Sequence, residues 1–383
     1  KGNPELLFIA GYSGVGKTAL VHEMRREVLM RQVIFIEGKF DQLQRTVPYS
    51  AWAQAFAQLA NNWLAESEDK LARWRETILK AVGDNGQVLI DVIPALERIT
   101  GPQPEVPQLG GLENQNRFNY TFNRLISSLA TPENPLVVFL DDLQWIDPAS
   151  LYLIEALVAV QSNSSLLVIG AYRDNEVGTD HPLVASQERM SGDGDRVRII
   201  TVKDLKPDDI DHLLADSLQL PVADCPDLSH ALREKTAGNP FYFRQQLYVL
   251  ESDELLSFDR EQGRWEWTAE LQQSLQAGGN VIDLMAKKIQ TLPVDAQQTL
   301  SMAACLGNRF EVSTLDTITG RSQMDILADL NLGLQDGLLV RSNGYFSFVH
   351  DRIQEAGYSR IPKADLPRTH LEIGRLLLAE TED

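Results

Sequence analysis

Eight residues, Gly11-Tyr12-Ser13-Gly14-Val15-Gly16-Lys17-Thr18, restrict the folds open to this chain more than any other stretch. They satisfy G-x-x-x-x-G-K-[ST] at every fixed position. The apolar run Leu6 to Ala10 precedes them and a helical pattern follows, so the spacing predicts strand, loop and helix in succession. A loop can wrap a phosphate only if its N–H groups turn inward, and Gly11, Gly14 and Gly16 leave that path clear beside Ser13 and Val15. Lys17 offers a point charge to β- and γ-phosphates, and the Thr18 hydroxyl offers a ligand to magnesium. The helix beginning there aims its positive end at the same anion. The competing reading is a glycine turn that merely joins a strand to a helix.

The rest of the first half agrees with an α/β fold. Apolar runs at Leu6 to Ala10, Val33 to Glu37, Leu136 to Asp141, Leu166 to Tyr172 and Val197 to Val202 read as buried strands of a parallel sheet. Between the second and third lies a helical insertion. One helix carries Trp52, Phe56, Leu59, Trp63 and Leu64 on one face, and another carries Phe118, Phe122, Leu125, Ile126 and Leu129. A loop rich in Pro and Gly separates them. After Leu205 the strand signal stops, and Pro207 opens a series of short helices. A hairpin is expected around Gln262-Gly263. Helices over 281–292, 294–306 and 322–335 then lead to a second hairpin, Leu338–Ser342 and Tyr345–His350, turned at Asn343-Gly344. Three helices and a closing hairpin describe a winged helix. The expected organisation is a P-loop core over 1–205, a small helical lid with hairpin over 206–279, a winged helix over 280–362, and the start of a further helical region over 363–383.

The third strand ends in Asp141-Asp142, at the sheet edge where ligands gather. There Asp141 would hold magnesium through water, and Asp142 would orient or deprotonate an attacking water. The fourth strand ends at Arg173. In P-loop ATPases with an extra strand between the two nucleotide motifs, this strand lies beside the first, so its terminal residue reaches toward the γ-phosphate. A surface ion pair with Asp174 or Glu176 is the other reading of Arg173.

Charge narrows the partners. Thirty-five basic and fifty-four acidic side chains leave a net charge of -19. That field opposes nucleic acid and anionic membrane as default partners. No apolar run approaches the length of a membrane span. The two cysteines, Cys225 and Cys305, lack metal-ligand spacing and read as core residues in a reduced, cytoplasmic compartment. Beginning at Lys1, the sequence reads as a piece of something longer.

Together these residues resemble the STAND class of signal-transduction ATPases, relatives of the AAA+ proteins. Several phrases are similar to the ATPase module of large bacterial serine/threonine and hybrid histidine kinases. They are Gly38-Lys39-Phe40-Asp41-Gln42 with Pro48-Tyr49, Leu140 to Asp147, Gly238-Asn239-Pro240-Phe241-Tyr242 and Phe348 to Arg352. The resemblance implies ATP/ADP and Mg2+ as ligands. It places Pro240 against the adenine side of the nucleotide and His350 at the β-phosphate of ADP. Both positions have structural alternatives: Asn239 and Pro240 also spell a helix start, and His350 also reads as a satisfied polar residue. The family's Gly-Arg-Glu segment ahead of the loop is absent before Gly11, which implies weak nucleotide binding. Arg45 and Arg117 both stand in family phrases and could each touch phosphate.

Three functions fit these motifs. One is a slow ATPase acting as a nucleotide-dependent switch within a larger signalling protein, its partners other domains of the same polypeptide, with oligomerisation in the ATP state. A second is a nucleotide-binding scaffold with little hydrolysis. The third is a winged-helix transcription regulator, which the acidic helix near Ser322 to Gln335 opposes, since phosphate contacts need Lys and Arg there. No His-Arg-Asp or Asp-Phe-Gly kinase motif is found, so any kinase domain of the parent would lie elsewhere.

Overall fold

The computed structural model describes residues 4–31, 33–41, 47–107, 109–159, 164–191, 196–268, 270–271, 287–342 and 344–381. The chain divides into two compact units that meet between Lys203 and Asp204.

In the first unit, β1 (Glu5–Ala10), β2 (Ile34–Lys39), β3 (Leu136–Asp141), β4 (Leu166–Tyr172) and β5 (Val197–Thr201) form a parallel sheet in the order β2-β3-β4-β1-β5. Helix α1 (Lys17–Met30) leaves the loop after β1. The insertion holds α2 (Ser50–Leu64), α3 (Glu68–Val82), the short α4 (Gly86–Ile90) and α5 (Glu97–Thr100), and α6 (Gly111–Leu129). Then α7 (Pro148–Ala159) and α8 (Pro182–Ser191) follow β3 and β4.

The continuous apolar run of β3 follows from burial on both faces. Leu136, Val138 and Leu140 join the large core shared with the insertion, while Val137 and Phe139 pack with Ile9, Val21, Phe35 and Ile169 on the other face. The two predicted insertion faces meet: the Phe122 ring lies 5.4 Å from Trp52 and 5.0 Å from Phe56, both edge-on. Helix α2 also covers the open edge of β2. Gln58 Oε1 accepts from the Glu37 amide at 3.2 Å and Gln54 Oε1 from the Lys39 amide at 2.7 Å. These bonds satisfy donors that an edge strand would leave unpaired.

One strand departs from expectation. Val197 to Val202 reads as buried, yet β5 is the other edge of the sheet, and Ile199 and Ile200 are 50% and 46% exposed. Hydropathy reports apolarity; it does not report whether a strand is central or at an edge.

The second unit begins with α9 (Pro207–Leu218), α10 (Pro226–Thr236) and α11 (Pro240–Ser252), followed by the expected hairpin β6 (Leu256–Asp259) and β7 (Arg264–Trp267). Of the helix expected over 281–292, residues 281–286 lie outside the described residues, and 287–291 are helical. Then come α12 (Val294–Leu306), β8 (Arg309–Phe310), α13 (Val312–Thr319), α14 (Gln323–Gln335), β9 (Leu339–Ser342) and β10 (Tyr345–Phe348). The three strands pair antiparallel in the order β8-β10-β9. Asn343 of the predicted turn lies outside the described residues. Helix α13 was not anticipated. Its sequence, VSTLDTIT, is dominated by β-branched residues with low helix propensity, and burial of Leu315 and Ile318 holds it. Finally α15 (Asp351–Tyr358) and α16 (Leu366–Thr381) close the unit.

Candidate functional site

Parallel pairing fixes the site before any side chain is considered. β4 lies beside β1 with Tyr172 opposite Ala10, so Arg173 and Gly11 leave the sheet as neighbours. β3 lies beside β4, and Lys39 at the end of β2 is paired with Asp141. The ends of four strands therefore deliver Lys39, Asp141, Asp142, Arg173 and the glycine loop to one edge.

The loop has the backbone its sequence demands. Gly14 and Gly16 have φ of 80° and 100°, a region unfavourable for residues with a Cβ. Gly16 caps α1 with no side-chain hydrogen bond to the first turn, which leaves the amide end of the helix to other acceptors. A Cβ at Gly11 would sit 2.5 Å from the Val202 carbonyl oxygen and 3.0 Å from the Val15 side chain. Val15 and Ser13 are buried. The buried Lys17 donates from Nζ to the carbonyl oxygens of Gly11, at 2.8 Å, and Tyr12, at 2.9 Å. Burial lowers its pKa, and the charges of Asp141 and Asp142 oppose that shift.

Thr18 Oγ1 donates to Asp141 Oδ2 at 2.9 Å, joining the helix start to the end of β3. Asp141 Oδ1 in turn accepts from the Asp142 amide at 2.9 Å. Burial and the adjacent Asp142 charge push the Asp141 carboxyl up to about 6, against the opposing pull of Lys39 and Thr18. Asp142 adopts the left-handed backbone region, with φ 56° and ψ 47°, an uncommon state for a residue with a side chain. Its carboxylate is surrounded: Lys39 Nζ lies 2.8 Å from Oδ2, Gln144 Nε2 donates to Oδ1 at 2.7 Å, and Arg173 Nε lies 3.7 Å from Oδ1. Arg173 is 2% exposed, donates to Glu176 at 2.6 Å and lies over the Trp145 ring at 5.1 Å. The Glu176 partner of the second reading is therefore present, but the arginine that makes the pair is buried rather than on the surface. Sequence reasoning gave no role to Lys39 or Gln144. The signal for Lys39 was its place at a strand end, which becomes informative only once β2 is known to pair with β3.

The residue set fits a triphosphate with a divalent cation. Both partners of the Lys17 ammonium are neutral carbonyl oxygens, which a phosphate would outcompete. A hydroxyl and a carboxylate already meet at Thr18 and Asp141, hard oxygen donors of the kind magnesium takes. Arg117 is not at this edge: it donates to the Pro107 carbonyl oxygen at 2.8 Å and to Asn114 at 2.8 Å, tying down the Pro/Gly-rich loop. Arg45 lies outside the described residues.

Pro240 and His350 both belong to the second unit. Asn239 accepts at Oδ1 from the Phe241 and Tyr242 amides and caps α11, with Pro240 in the first helical position, so the helix-start reading holds. His350 is not the end of a wing strand: β10 stops at Phe348, and His350 caps α15, its Nδ1 accepting from the Arg352 amide at 3.2 Å. The His350 ring stacks on Phe241, with centroids 3.8 Å apart. The residue after Pro240 is therefore in contact with His350.

A parallel sheet with this loop after β1, an acidic pair at the end of β3 and an arginine after β4 defines a P-loop nucleoside triphosphatase fold. Residues 1–169 match the family described as the AAA ATPase domain. The chain is similar to hybrid signal transduction histidine kinase G of Dictyostelium discoideum, at 27% identity over 485 aligned positions, covering 98% of this chain and 14% of that protein. It is also similar to histidine protein kinase 1 of Candida albicans, at 24% identity over 164 residues, 39% of this chain and 7% of that protein. The chain thus spans a small part of each curated relative. Among solved structures, a STAND protein with a tetratricopeptide repeat sensor from Pyrococcus horikoshii aligns over 99% of this chain and 43% of that one, with TM-score 0.47 and 15% identity. Cdc6p from Pyrobaculum aerophilum aligns over 99% and 89%, with TM-score 0.39 and 14% identity. Among the described residues, no helix is long and apolar enough to cross a membrane.

Proposed function

We propose that this chain is a nucleotide-dependent conformational switch that hydrolyses ATP slowly within a larger signalling protein. The observation that carries the reading is the self-engaged site: Lys17 bonds to its own loop, and Asp142 to Lys39 and Gln144. A nucleotide that takes Lys17 from its carbonyl partners must rearrange the loop, and differential contact of this kind biases a two-state element. Lys17 and the loop amides from Gly11 to Thr18 hold the phosphates, Thr18 and Asp141 hold the cation, and Arg173 faces the γ-phosphate. Bound magnesium supplies charge neutralisation at the phosphate oxygens. Asp142 orients the attacking water and accepts its proton, and the products are ADP and inorganic phosphate. The resemblance assigns Pro240 to the adenine side and His350 to the β-phosphate, and the Phe241–His350 stack supports treating them as one responsive element. The winged-helix reading of residues 280–362 and the lid reading of 206–279 belong to the same proposal, as does a kinase parent.

Phosphate release and limited proteolysis, each measured with the wild type and Asp142→Asn, test this. The wild type should turn over slowly and show different cleavage patterns with ATP and ADP, while Asp142→Asn binds ATP and stays in the ATP pattern. Normal turnover by Asp142→Asn would remove the assignment. The confinement of Asp142 by two side-chain donors favours a second reading, a nucleotide-binding scaffold that scarcely hydrolyses. Tight binding with no turnover and no difference between the two nucleotide patterns would select it.

A further inference from the structure

An open groove of about 880 Å³ runs along α6, walled by Lys80 of α3 on one side and Tyr152 of α7 on the other. Asn116, Asn119 and Asn123 of α6 line it at helical spacing, one above another. Asparagine is a poor residue for a helix interior, because its amide competes with the backbone. Packing gives little in return here. Asn116 and Asn123 make no side-chain hydrogen bond to another described residue. Asn119 is 6% exposed; its Oδ1 accepts from the Tyr49 hydroxyl at 3.4 Å, but its buried Nδ2 has no partner among the described residues. An unpaired buried donor costs about 1–3 kcal/mol.

The charge of the groove is opposite to that of the chain. Lys80 and Arg124 are its charged lining residues, no carboxylate lines it, and the chain as a whole carries -19. Tyr120 and Tyr152 stand 61% and 46% exposed along it, and the Arg124 guanidinium lies 5.8 Å from the Tyr120 ring centre.

We propose that this groove binds an extended acidic peptide segment of a partner protein. An amide both donates and accepts, so the side chains of Asn116 and Asn123 can pair with the alternating N–H and C=O of an extended backbone without reading its sequence. The helical rise places the Asn116 and Asn123 backbones about 10 Å apart, the length of roughly three extended residues. Lys80 and Arg124 pair with carboxylate side chains, and the two tyrosines flank apolar ones. A nucleic acid would bring many phosphates against a strongly negative chain with two cations to meet them, whereas a peptide with two or three carboxylates asks for no more.

The test is selection from a phage-displayed random dodecapeptide library on the whole chain. Fluorescence anisotropy of the recovered peptides then compares wild type with the Lys80→Glu, Arg124→Glu double variant. Both side chains are exposed, so the fold should persist, which circular dichroism checks. The recovered peptides should be net negative, and charge reversal should weaken them about tenfold or more. Enrichment of neutral or basic peptides, no enrichment above blank beads, or affinity indifferent to charge reversal would overturn the proposal. So would preferential binding of a single-stranded oligonucleotide of equal length.

Discussion

Lys39 and Asp142 form an ion pair, 2.8 Å from Nζ to Oδ2, between the ends of neighbouring strands β2 and β3. Lys39 is partly open to solvent and Asp142 is buried, so the pair restrains the carboxylate more than it stabilises the fold. Lys39→Met should free Asp142 to act on water. Turnover should rise, about fivefold for each 1 kcal/mol of restraint that the pair places on the carboxylate. Nucleotide affinity should stay unchanged, and steady-state phosphate release beside a binding isotherm reads both.

Gly38 owes its identity to packing. A Cβ there would lie 1.9 Å from the Ala51 carbonyl oxygen, where α2 crosses β2. Gly38→Ala should therefore destabilise the first unit by about 2 kcal/mol or more, because two backbones must separate. Urea denaturation followed by tryptophan fluorescence measures it.

The Phe241–His350 stack joins the start of α11 to the start of α15. Phe241→Ala and His350→Ala should each destabilise the second unit, and the double variant should cost less than their sum. The expected coupling is about 0.5–1.5 kcal/mol, the range for paired rings. Denaturation midpoints of the four proteins supply the cycle.

Both thiols should be silent. Cys305 and Cys225 are buried, and burial pushes the Cys305 thiol up to about 11 and raises that of Cys225. The thiolate is the reactive form. At pH 8 a colorimetric thiol reagent should find almost none in the native chain, and both cysteines after denaturation.

How much of this was legible in the sequence depends on whether a property is local. The glycine loop is local, because Gly14 and Gly16 need their positive φ whatever surrounds them. The five strands and the aromatic faces of α2 and α6 were legible for the same reason: periodicity reports burial segment by segment. Strand neighbours are not local. The role of Lys39 needed the β2–β3 register, and the exposure of Ile199 and Ile200 needed β5 to be an edge. His350 was misplaced by two residues because the chain leaves β10 at Phe348 and turns directly into a helix that the histidine caps. Helix α13 was hidden by β-branched residues whose burial, supplied by α12 and α14, overrides their propensity.

Whether the glycine loop and Lys17 hold a nucleotide is decided by titration calorimetry of ATP and of ADP, each with magnesium, into the wild type and into Lys17→Ala. The wild type should give a saturable isotherm near one nucleotide per chain and Lys17→Ala none, with the variant still folded by circular dichroism. Equal affinity of the two proteins, or no heat from the wild type with either nucleotide, would contradict it.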